Sequence, residues 1–311
     1  AGRRSSRLGS RRRAGTARVT PTHESALRAA IVEVGRRLYA RSYTASNDGN
    51  ISVRLGPDRL LMTPKSVCKG FMTPDMMCIT DLDGRKVQGD RDPSSEMLMH
   101  LEVYRQRPDA QAVVHAHPPI ATGFAVAGIP LNRAVLAEVL TTLGSIPIAE
   151  YATPSTSELP AAVGKYIRAH DGMLLANHGA LTVGADVFGA YYKMETIEHF
   201  AKISLVARLL GGENLIAREE VDRLQGLRGA YGIKAPAPIC ADPVALADLV
   251  SGGDAVCQVV DAPPGGGQRL VPDSQAAPVS MAAAADRGDE EIRLTYRELS
   301  ALVEEAIRNL R

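Results

Sequence analysis

Three histidines at the ends of apolar segments are the residues of this sequence best suited to bind a metal ion. His115 and His117 end the run AVVHAHPP, where the two-residue period of a β-strand directs both imidazoles to one face of a sheet. His178 lies in LLANHGA, where a second apolar run meets a glycine turn. Three neutral imidazoles and one oxygen ligand suit Zn2+, with a coordination position open to substrate. Taken one at a time, each histidine fits a structural role better than a ligand role, so the spacing leaves both interpretations open.

Glu96 is a carboxylate that can complete this donor set, because it opens a predicted helix directly after Ser94 and Ser95. The first turn of that helix presents two hydroxyls and free backbone N–H groups, a combination that holds anions such as phosphate. Placed between a metal and a phosphate, Glu96 would serve as general base on a substrate polarised by the cation. The alternative is an ordinary helix start with an acid in its first turn.

Two other corners combine glycine, hydroxyl and basic residues in a way that can cradle a phosphate. They are Asp48-Gly49-Asn50 and Thr63-Pro64-Lys65-Ser66. Backbone N–H groups in such corners can converge on an anion, but both segments are equally typical of plain turns.

The spacing of apolar residues predicts the elements that must carry these groups. Strands with hairpins, mixed with helices, favour one layered α/β domain with a mixed or antiparallel sheet. Strands are predicted at 50–55, 59–63, 77–80, 111–117, 146–150 and 172–183, and helices at 22–43, 118–126, 135–143, 157–169 and 186–210.

Composition excludes several classes of protein. With 311 residues, 45% of them apolar, the chain can bury a sizeable core. A net charge of +1 and the absence of Trp argue against nucleic-acid binding, and no apolar run is long enough for a transmembrane helix. The four cysteines lack CxxC spacing, which indicates reduced thiols and a cytoplasmic location.

Both ends of the chain differ in composition from its middle. Residues 1–21 form a basic tail that we expect to be disordered, although the composition also suits a transit peptide or a nucleic-acid-touching arm. A folded domain is predicted at 22–236 and a flexible linker rich in Gly, Pro and Ala at 237–291.

The last segment, 292–311, is predicted to be an amphipathic helix that needs a partner. Docking on its own domain or oligomer is the alternative to binding another protein. Its apolar stripe, the predicted partner-binding surface, consists of Leu299, Leu302, Val303, Ile307 and Leu310.

Six motifs occur in the order seen in class II aldolase/adducin proteins, and the resemblance covers roughly residues 22–235. The motifs are GNISVR at 49–54, LMTPK at 61–65, PSSE at 93–96, AVVHAHP at 112–118, IPIAEYATPSTSEL at 146–159 and ANHGA at 176–180. Their ordered occurrence is far more specific than any one of them. The resemblance is strongest to the L-fuculose-1-phosphate aldolases of that family.

This resemblance implies one Zn2+ per subunit, bound by His115, His117 and His178, with Glu96 as a fourth ligand that substrate displaces and that then acts as base. It implies cleavage of L-fuculose 1-phosphate, or of L-rhamnulose 1-phosphate, to dihydroxyacetone phosphate and L-lactaldehyde. The implied fold is a three-layer α/β/α sandwich with a mixed, largely antiparallel central sheet, in a homotetramer with sites between subunits. Gly49, Asn50, Thr63, Ser94 and Ser95 match phosphate-binding positions of the family, and Lys65 would strengthen phosphate binding.

One departure from the family pattern keeps other activities open. The aldolases have a tyrosine, thought to protonate the intermediate, in the segment that is 129–144 here, and this segment has none. A second family tyrosine matches Tyr231 in AYGI, which becomes a candidate catalytic residue. The rivals are an epimerase, a dehydratase or a decarboxylase of the same family, or a non-catalytic adducin-like module. Glu96 weighs against the 4-epimerases, which have Asp at that position, and the full set of metal ligands weighs against the adducin-like module.

The C-terminal tail also has a resemblance. A Gly/Pro/Ala linker before a short amphipathic helix is similar to the encapsulation peptides that load enzymes into bacterial microcompartments. That resemblance implies that the stripe binds shell or cargo proteins and that the enzyme lies inside such a compartment, where a reactive aldehyde product would be retained.

Overall fold

The computed structural model describes residues 21–237, which contain eight strands, seven α-helices and two short 3-10 turns. The predicted basic tail, linker and C-terminal helix lie outside the described residues. None of the helices within 21–237 combines the length and apolarity needed to cross a bilayer. The elements are α1 Pro21–Ala40, β1 Asn50–Arg54, β2 Arg59–Met62, β3 Cys78–Asp81, β4 Lys86–Gln88, α2 Met97–Gln106, β5 Ala112–Ala116, α3 Pro119–Val126, α4 Ala137–Thr142, β6 Ile148–Ala149, α5 Glu158–Gly164, β7 Gly172–Leu175, β8 Gly179–Gly184, α6 Val187–Leu209 and α7 Arg218–Gly226, with 3-10 turns at Lys69–Phe71 and Pro74–Met76.

The strands form one eight-stranded sheet in the order β4-β3-β2-β1-β5-β8-β7-β6. Every neighbouring pair is antiparallel except β6 and β7, which are parallel. Strand β5 lies in the middle, and its His115 is opposite Asn50 of β1 and Leu181 of β8. The prediction of a mixed, largely antiparallel sheet is therefore confirmed.

Helices cover both faces of the sheet, because alternate strand residues supply two separate cores. One core joins α1, α3 and α6 to the face that contains Val114 and Leu174. The other joins α2 and α5 to the face that contains Val113, Met173 and Leu181. The predicted α/β/α sandwich is thus confirmed, and the period-two pattern of β5 assigns His115 to the α2 and α5 face.

Two predicted elements differ in the structure, and one observed strand was not predicted. Strand β6 is only two residues long, because Pro147 precedes it and has no N–H for the ladder. Helix α5 ends at Gly164, where an added Cβ would lie 2.8 Å from Gln106 Nε2 of α2, and hydrogen-bonded turns replace its predicted second half. Strand β4 was not predicted, because all three of its residues are exposed and show no apolar alternation.

The unfolding free energy is expected to fall as the pH drops from about 6.5 to 4, because His170 is buried in its neutral form. Burial lowers the pKa of His170 to about 4. In the unfolded chain this histidine titrates near pH 6.5, so between these values the unfolded state binds more protons than the folded state. Full protonation of one such histidine in the unfolded state lowers the unfolding free energy by about 3 kcal/mol.

Urea unfolding between pH 7.5 and 4.5 measures this effect. The His170→Gln variant should lose less stability on acidification than the wild type does. An equal loss in both proteins would contradict the assignment of the acid sensitivity to His170.

Candidate metal centre

Two neighbouring strand ends bring the three histidines together. His115 is the fourth residue of β5 and His117 directly follows this strand. Ala116 pairs with Ala180 of β8, so the tight turn between β7 and β8 delivers His178 to the same point. Gly179 permits this approach, because a Cβ there would lie 2.6 Å from both Ala116 O and His117 Cδ2.

The ring nitrogens of the three histidines converge, and two of the rings lie against the Glu96 carboxylate. His115 Nε2 lies 3.1 Å from His117 Nε2 and 3.4 Å from Glu96 Oε2. His178 Nε2 lies 3.1 Å from Glu96 Oε1. Four ligands about 2.1 Å from a tetrahedral metal ion lie about 3.4 Å from one another, and these three spacings are close to that value.

The hydrogen bonds behind the cluster leave lone pairs facing its centre. His115 Nδ1 lies 2.9 Å from Ala180 O, and because a carbonyl only accepts, Nδ1 carries the hydrogen and Nε2 is free to bind a cation. His117 Nδ1 lies 3.5 Å from Asp48 Oδ2 on the side away from His115. With its hydrogen on Nδ1, facing Asp48, His117 would also present the lone pair of Nε2, and a cation between the two Nε2 atoms would accept both lone pairs. The donor set therefore fits a divalent metal ion.

The electrostatics of the cluster keep its groups in their metal-binding forms. Burial lowers the pKa of His115 well below its usual value and also lowers the pKa of His117. Burial alone would raise the pKa of the Glu96 carboxyl, but His115, His178 and the Asn50 amide outweigh it and hold this pKa well below its usual range. Neutral imidazoles and a carboxylate are the forms that coordinate a cation.

Glu96 does not act as an ordinary helix cap. It occupies the N-cap position of α2, yet its carboxylate makes no capping hydrogen bond. It accepts a hydrogen bond of 2.8 Å from Asn50 Nδ2 and faces the histidines instead. The alternative interpretation of Glu96 as a simple first-turn acid is therefore not supported by the geometry.

The predicted phosphate-binding residues surround Glu96 but differ in exposure. Ser95 and Lys65 are exposed, whereas Ser94 is buried and its hydroxyl accepts the Glu96 N–H at 3.3 Å. Thr63 is fully buried, and its Oγ1 accepts the N–H of Ile51.

Gly49 has a positive φ of 71°, and a Cβ there would lie 2.8 Å from His115 O. A side chain at this position would therefore be strained and would press on the strand that carries His115.

Tyr231 lies elsewhere in this chain. It is 66% exposed and lines a cavity of about 280 Å³ together with Arg107, Asp171 and Gly184. Gly184 pairs with Ala112 at the start of β5, four residues from the end that carries the cluster, which is a separation of about 13 Å. Within one chain, Tyr231 therefore does not join the cluster.

Lys69 is a residue near the site that no sequence motif indicated. Its side chain is almost completely buried, and Nζ donates to Asn47 O at 2.9 Å and to Val67 O at 2.6 Å. Asn47 directly precedes one of the two corners that were predicted to cradle phosphate, and Val67 directly follows the other. Burial lowers the pKa of Lys69 to about 8. No periodicity signals such a residue, because its partners are backbone atoms.

The Lys69→Met variant is expected to fold but to loosen both corners. Removal of hydrogen bonds from a charged donor should speed amide exchange at residues 47–50 and 67–68 by roughly tenfold. Hydrogen exchange read by mass spectrometry measures this, with Lys86→Met on the exposed strand β4 as the matched control. Unchanged exchange in the Lys69 variant would show that the ammonium does not hold these corners together.

Comparison with known proteins identifies relatives of the domain that carries the cluster. Residues 29–205 match the family model described as the Class II Aldolase and Adducin N-terminal domain. An L-fuculose phosphate aldolase of Methanococcus maripaludis is 33% identical over 175 residues, which are 56% of this chain and 94% of that protein. A 3-oxo-tetronate 4-phosphate decarboxylase of Pectobacterium atrosepticum is 30% identical over 187 residues, 59% of this chain and 85% of that protein. A solved L-fuculose 1-phosphate aldolase superposes with a TM-score of 0.62 at 29% identity, over 67% of this chain and 97% of that one.

Proposed function

The chain belongs to the class II aldolase and adducin N-terminal domain family, and from this premise we propose that it is a zinc-dependent aldolase of a deoxy-ketose 1-phosphate. L-Fuculose 1-phosphate is the first candidate substrate and L-rhamnulose 1-phosphate the second, with dihydroxyacetone phosphate and L-lactaldehyde as products. Relatives named L-fuculose phosphate aldolase support a lyase of this class.

The observation that carries the proposal is a cluster of three convergent imidazoles, two of which contact the Glu96 carboxylate. His115, His117 and His178 would hold the metal, with Glu96 as the fourth ligand in the resting enzyme. A bound divalent cation supplies a Lewis acid that stabilises negative charge as it develops on substrate oxygens. Three nitrogen ligands and one carboxylate favour zinc among the common metals.

Glu96 is the proposed base. Because its pKa is held low, Glu96 is ionised at neutral pH, and its carboxylate oxygens are therefore free to accept a hydrogen bond from a substrate hydroxyl. In the cleavage direction it takes the proton from the hydroxyl on the carbon that becomes the aldehyde. The electrons of the adjacent C–C bond then pass to the ketone half, which is released as the triose phosphate after it gains a proton at carbon.

The phosphate group is proposed to lie against the residues around the start of α2. Ser95 and Lys65 are the exposed members of the predicted set and would contact it directly. The buried members of the set, Asn50, Thr63 and Ser94, together with Gly49, would shape the pocket behind them.

Tyr231 is proposed to act in the site of a neighbouring subunit as the proton donor. Its exposure leaves the hydroxyl available to another chain, and its distance from the cluster in its own chain excludes an intramolecular role. This proposal requires an oligomer, for which the homotetramer implied by the family resemblance is the candidate.

A decarboxylase is the second candidate, because relatives with that name match at similar identity. Loss of CO2 from a four-carbon oxo-acid phosphate would leave the same triose phosphate. That reaction has no hydroxyl proton to remove, so it gives a carboxylate base no task. The carboxylate of such a substrate would also be repelled by the negative charge of Glu96. Both points favour the aldolase.

The test is a product-resolved assay of zinc-loaded protein with L-fuculose 1-phosphate, L-rhamnulose 1-phosphate, L-ribulose 5-phosphate and 3-oxo-tetronate 4-phosphate. Triose phosphate alone does not separate the two lyases, so the aldehyde and CO2 are measured beside it. The proposal predicts triose phosphate and aldehyde in equal amounts. Triose phosphate with CO2 and no aldehyde would identify the decarboxylase. If no substrate gives triose phosphate, the aldolase is excluded and an epimerase or dehydratase becomes the candidate.

The proposal extends to the sequence segment 292–311, which we assign to the loading of a bacterial microcompartment. The amphipathic stripe of that segment needs a protein partner, and an aldehyde product is a reason for enclosure. Deletion of 292–311 should abolish co-purification with shells while turnover is kept. Loss of oligomer stability with unchanged co-purification would favour docking of the segment on its own oligomer.

A further inference from the structure

A buried chain of hydrogen bonds runs from Tyr104 through the domain to Glu96. The Tyr104 hydroxyl lies 2.9 Å from Ser52 Oγ, which lies 2.6 Å from His100 Nδ1. His100 Nε2 lies 2.5 Å from Asn50 Oδ1, and Asn50 Nδ2 lies 2.8 Å from Glu96 Oε2. Every member behind Glu96 is buried, so water does not compete for these contacts.

The direction of each hydrogen bond follows from the acceptor at the end of the chain, the Glu96 carboxylate. A carboxylate only accepts, so the Asn50 amide must turn its NH2 group to Glu96 and its Oδ1 to His100. His100 Nε2 therefore carries the hydrogen, which leaves Nδ1 of the neutral ring to accept from Ser52. The Ser52 oxygen can then accept from Tyr104. Each donor in the chain points toward Glu96.

The protonation states of the chain agree with this order. Burial lowers the pKa of His100 to about 4, so the ring is neutral near pH 7 and has one donor and one acceptor nitrogen. Burial raises the pKa of Tyr104, so its hydroxyl stays a donor. One arrangement of hydrogens therefore persists across neutral pH.

We propose that His100 is a positioning residue, which acts through Asn50 to hold the Glu96 carboxylate toward the metal ligands and the substrate. The role rests on the proposed function, because it assigns a purpose to the orientation of the base. Without the His100 N–H, the Asn50 amide is free to rotate by half a turn and present Oδ1 to Glu96, where two acceptors repel. Glu96 would then leave its place beside His115 and His178.

The kinetic test compares His100→Phe, which fills the space without a donor, with His100→Gln, whose amide N–H can still donate to Asn50. His100→Phe should lower kcat about 100-fold, the effect of a displaced reacting group, with little change in KM for the sugar phosphate. His100→Gln should recover most of that loss. A purely structural histidine would instead give equal losses in both variants, with falling thermal stability.

A second readout needs no turnover. The visible absorption of cobalt(II) bound in place of zinc reports the ligands of the metal. The His100→Phe spectrum should resemble that of Glu96→Gln, with cobalt affinity lowered by about 10- to 100-fold, whereas His100→Gln should resemble the wild type. If His100→Phe fails to fold, Ser52→Ala provides the same comparison, because it removes the hydroxyl that donates to His100 Nδ1 and so fixes the His100 tautomer.

The outcomes separate this inference from the proposed function. Wild-type spectra and wild-type kcat in His100→Phe would overturn the positioning role even if the protein is an aldolase. A wild-type protein without lyase activity whose cobalt spectra still distinguish the Phe and Gln variants would overturn the aldolase and keep His100 as the residue that orients Glu96.

Discussion

Glu96→Gln is expected to lower kcat for cleavage of the sugar phosphate by about a thousandfold. An amide has the size of the carboxylate and can still accept the Asn50 hydrogen bond, but it cannot take a proton from the substrate hydroxyl. The loss should appear in kcat more than in KM, because the base acts in the transition state and the phosphate contacts remain.

Steady-state kinetics of metal-loaded protein measure this effect. Glu102→Gln is the matched control, since Glu102 is on the same helix α2 but bonds to Arg105 and Gln106 instead of the histidines. The control should keep wild-type turnover. A Glu96→Gln enzyme within tenfold of the wild type would show that another group acts as base.

His178→Ala is expected to remove stoichiometric metal and with it the turnover. This histidine provides one of three nitrogen ligands, and its Nε2 also contacts Glu96. Loss of an outer partner of a ligand costs 10- to 100-fold in metal affinity, so we expect loss of a ligand to cost more than about 100-fold. The location of His178 in a turn leaves the strands intact, so the variant should fold.

Metal analysis after dialysis measures this effect, with competition against a chelating dye for the affinity. His199→Ala is the matched control, because His199 is exposed on α6 and outside the cluster. Full metal content in the His178 variant would contradict its role as a ligand.

Local sequence patterns predicted the part of the site that depends on strand periodicity. The two-residue period placed His115 and His117 on one side of β5, and the glycine after His178 indicated the turn that returns β8 beside β5. The predicted helix start after Ser94 and Ser95 indicated Glu96, and the order of the six motifs supported it as a ligand. These features were predictable because each depends on neighbours along the chain.

Other features depend on contacts between distant segments and could not be predicted. Asn50 was predicted to bind phosphate, yet its amide lies between His100 and Glu96 because β1 packs against α2. Lys69 binds two backbone carbonyls, which leave no trace in the sequence. Tyr231 matched a family motif, but the match could not tell which end of the sheet it would occupy.

The fold was predictable to a similar degree. Apolar runs gave buried strands such as β5 and β8 and located β6, whose length they overestimated, whereas exposed β4 has no such run. The order of strands in the sheet depends on pairing between distant segments and was not predicted.

The most direct test of the central claim is a zinc titration of metal-free protein, followed by the rate of triose phosphate release from L-fuculose 1-phosphate. If the protein is a lyase that depends on a bound metal, the metal-free protein should release no triose phosphate. The proposed ligands of that metal are His115, His117, His178 and Glu96. The rate should then rise in proportion to added zinc and level off at about one zinc per chain. Equal turnover with and without zinc, or saturation with zinc and no triose phosphate, would contradict it.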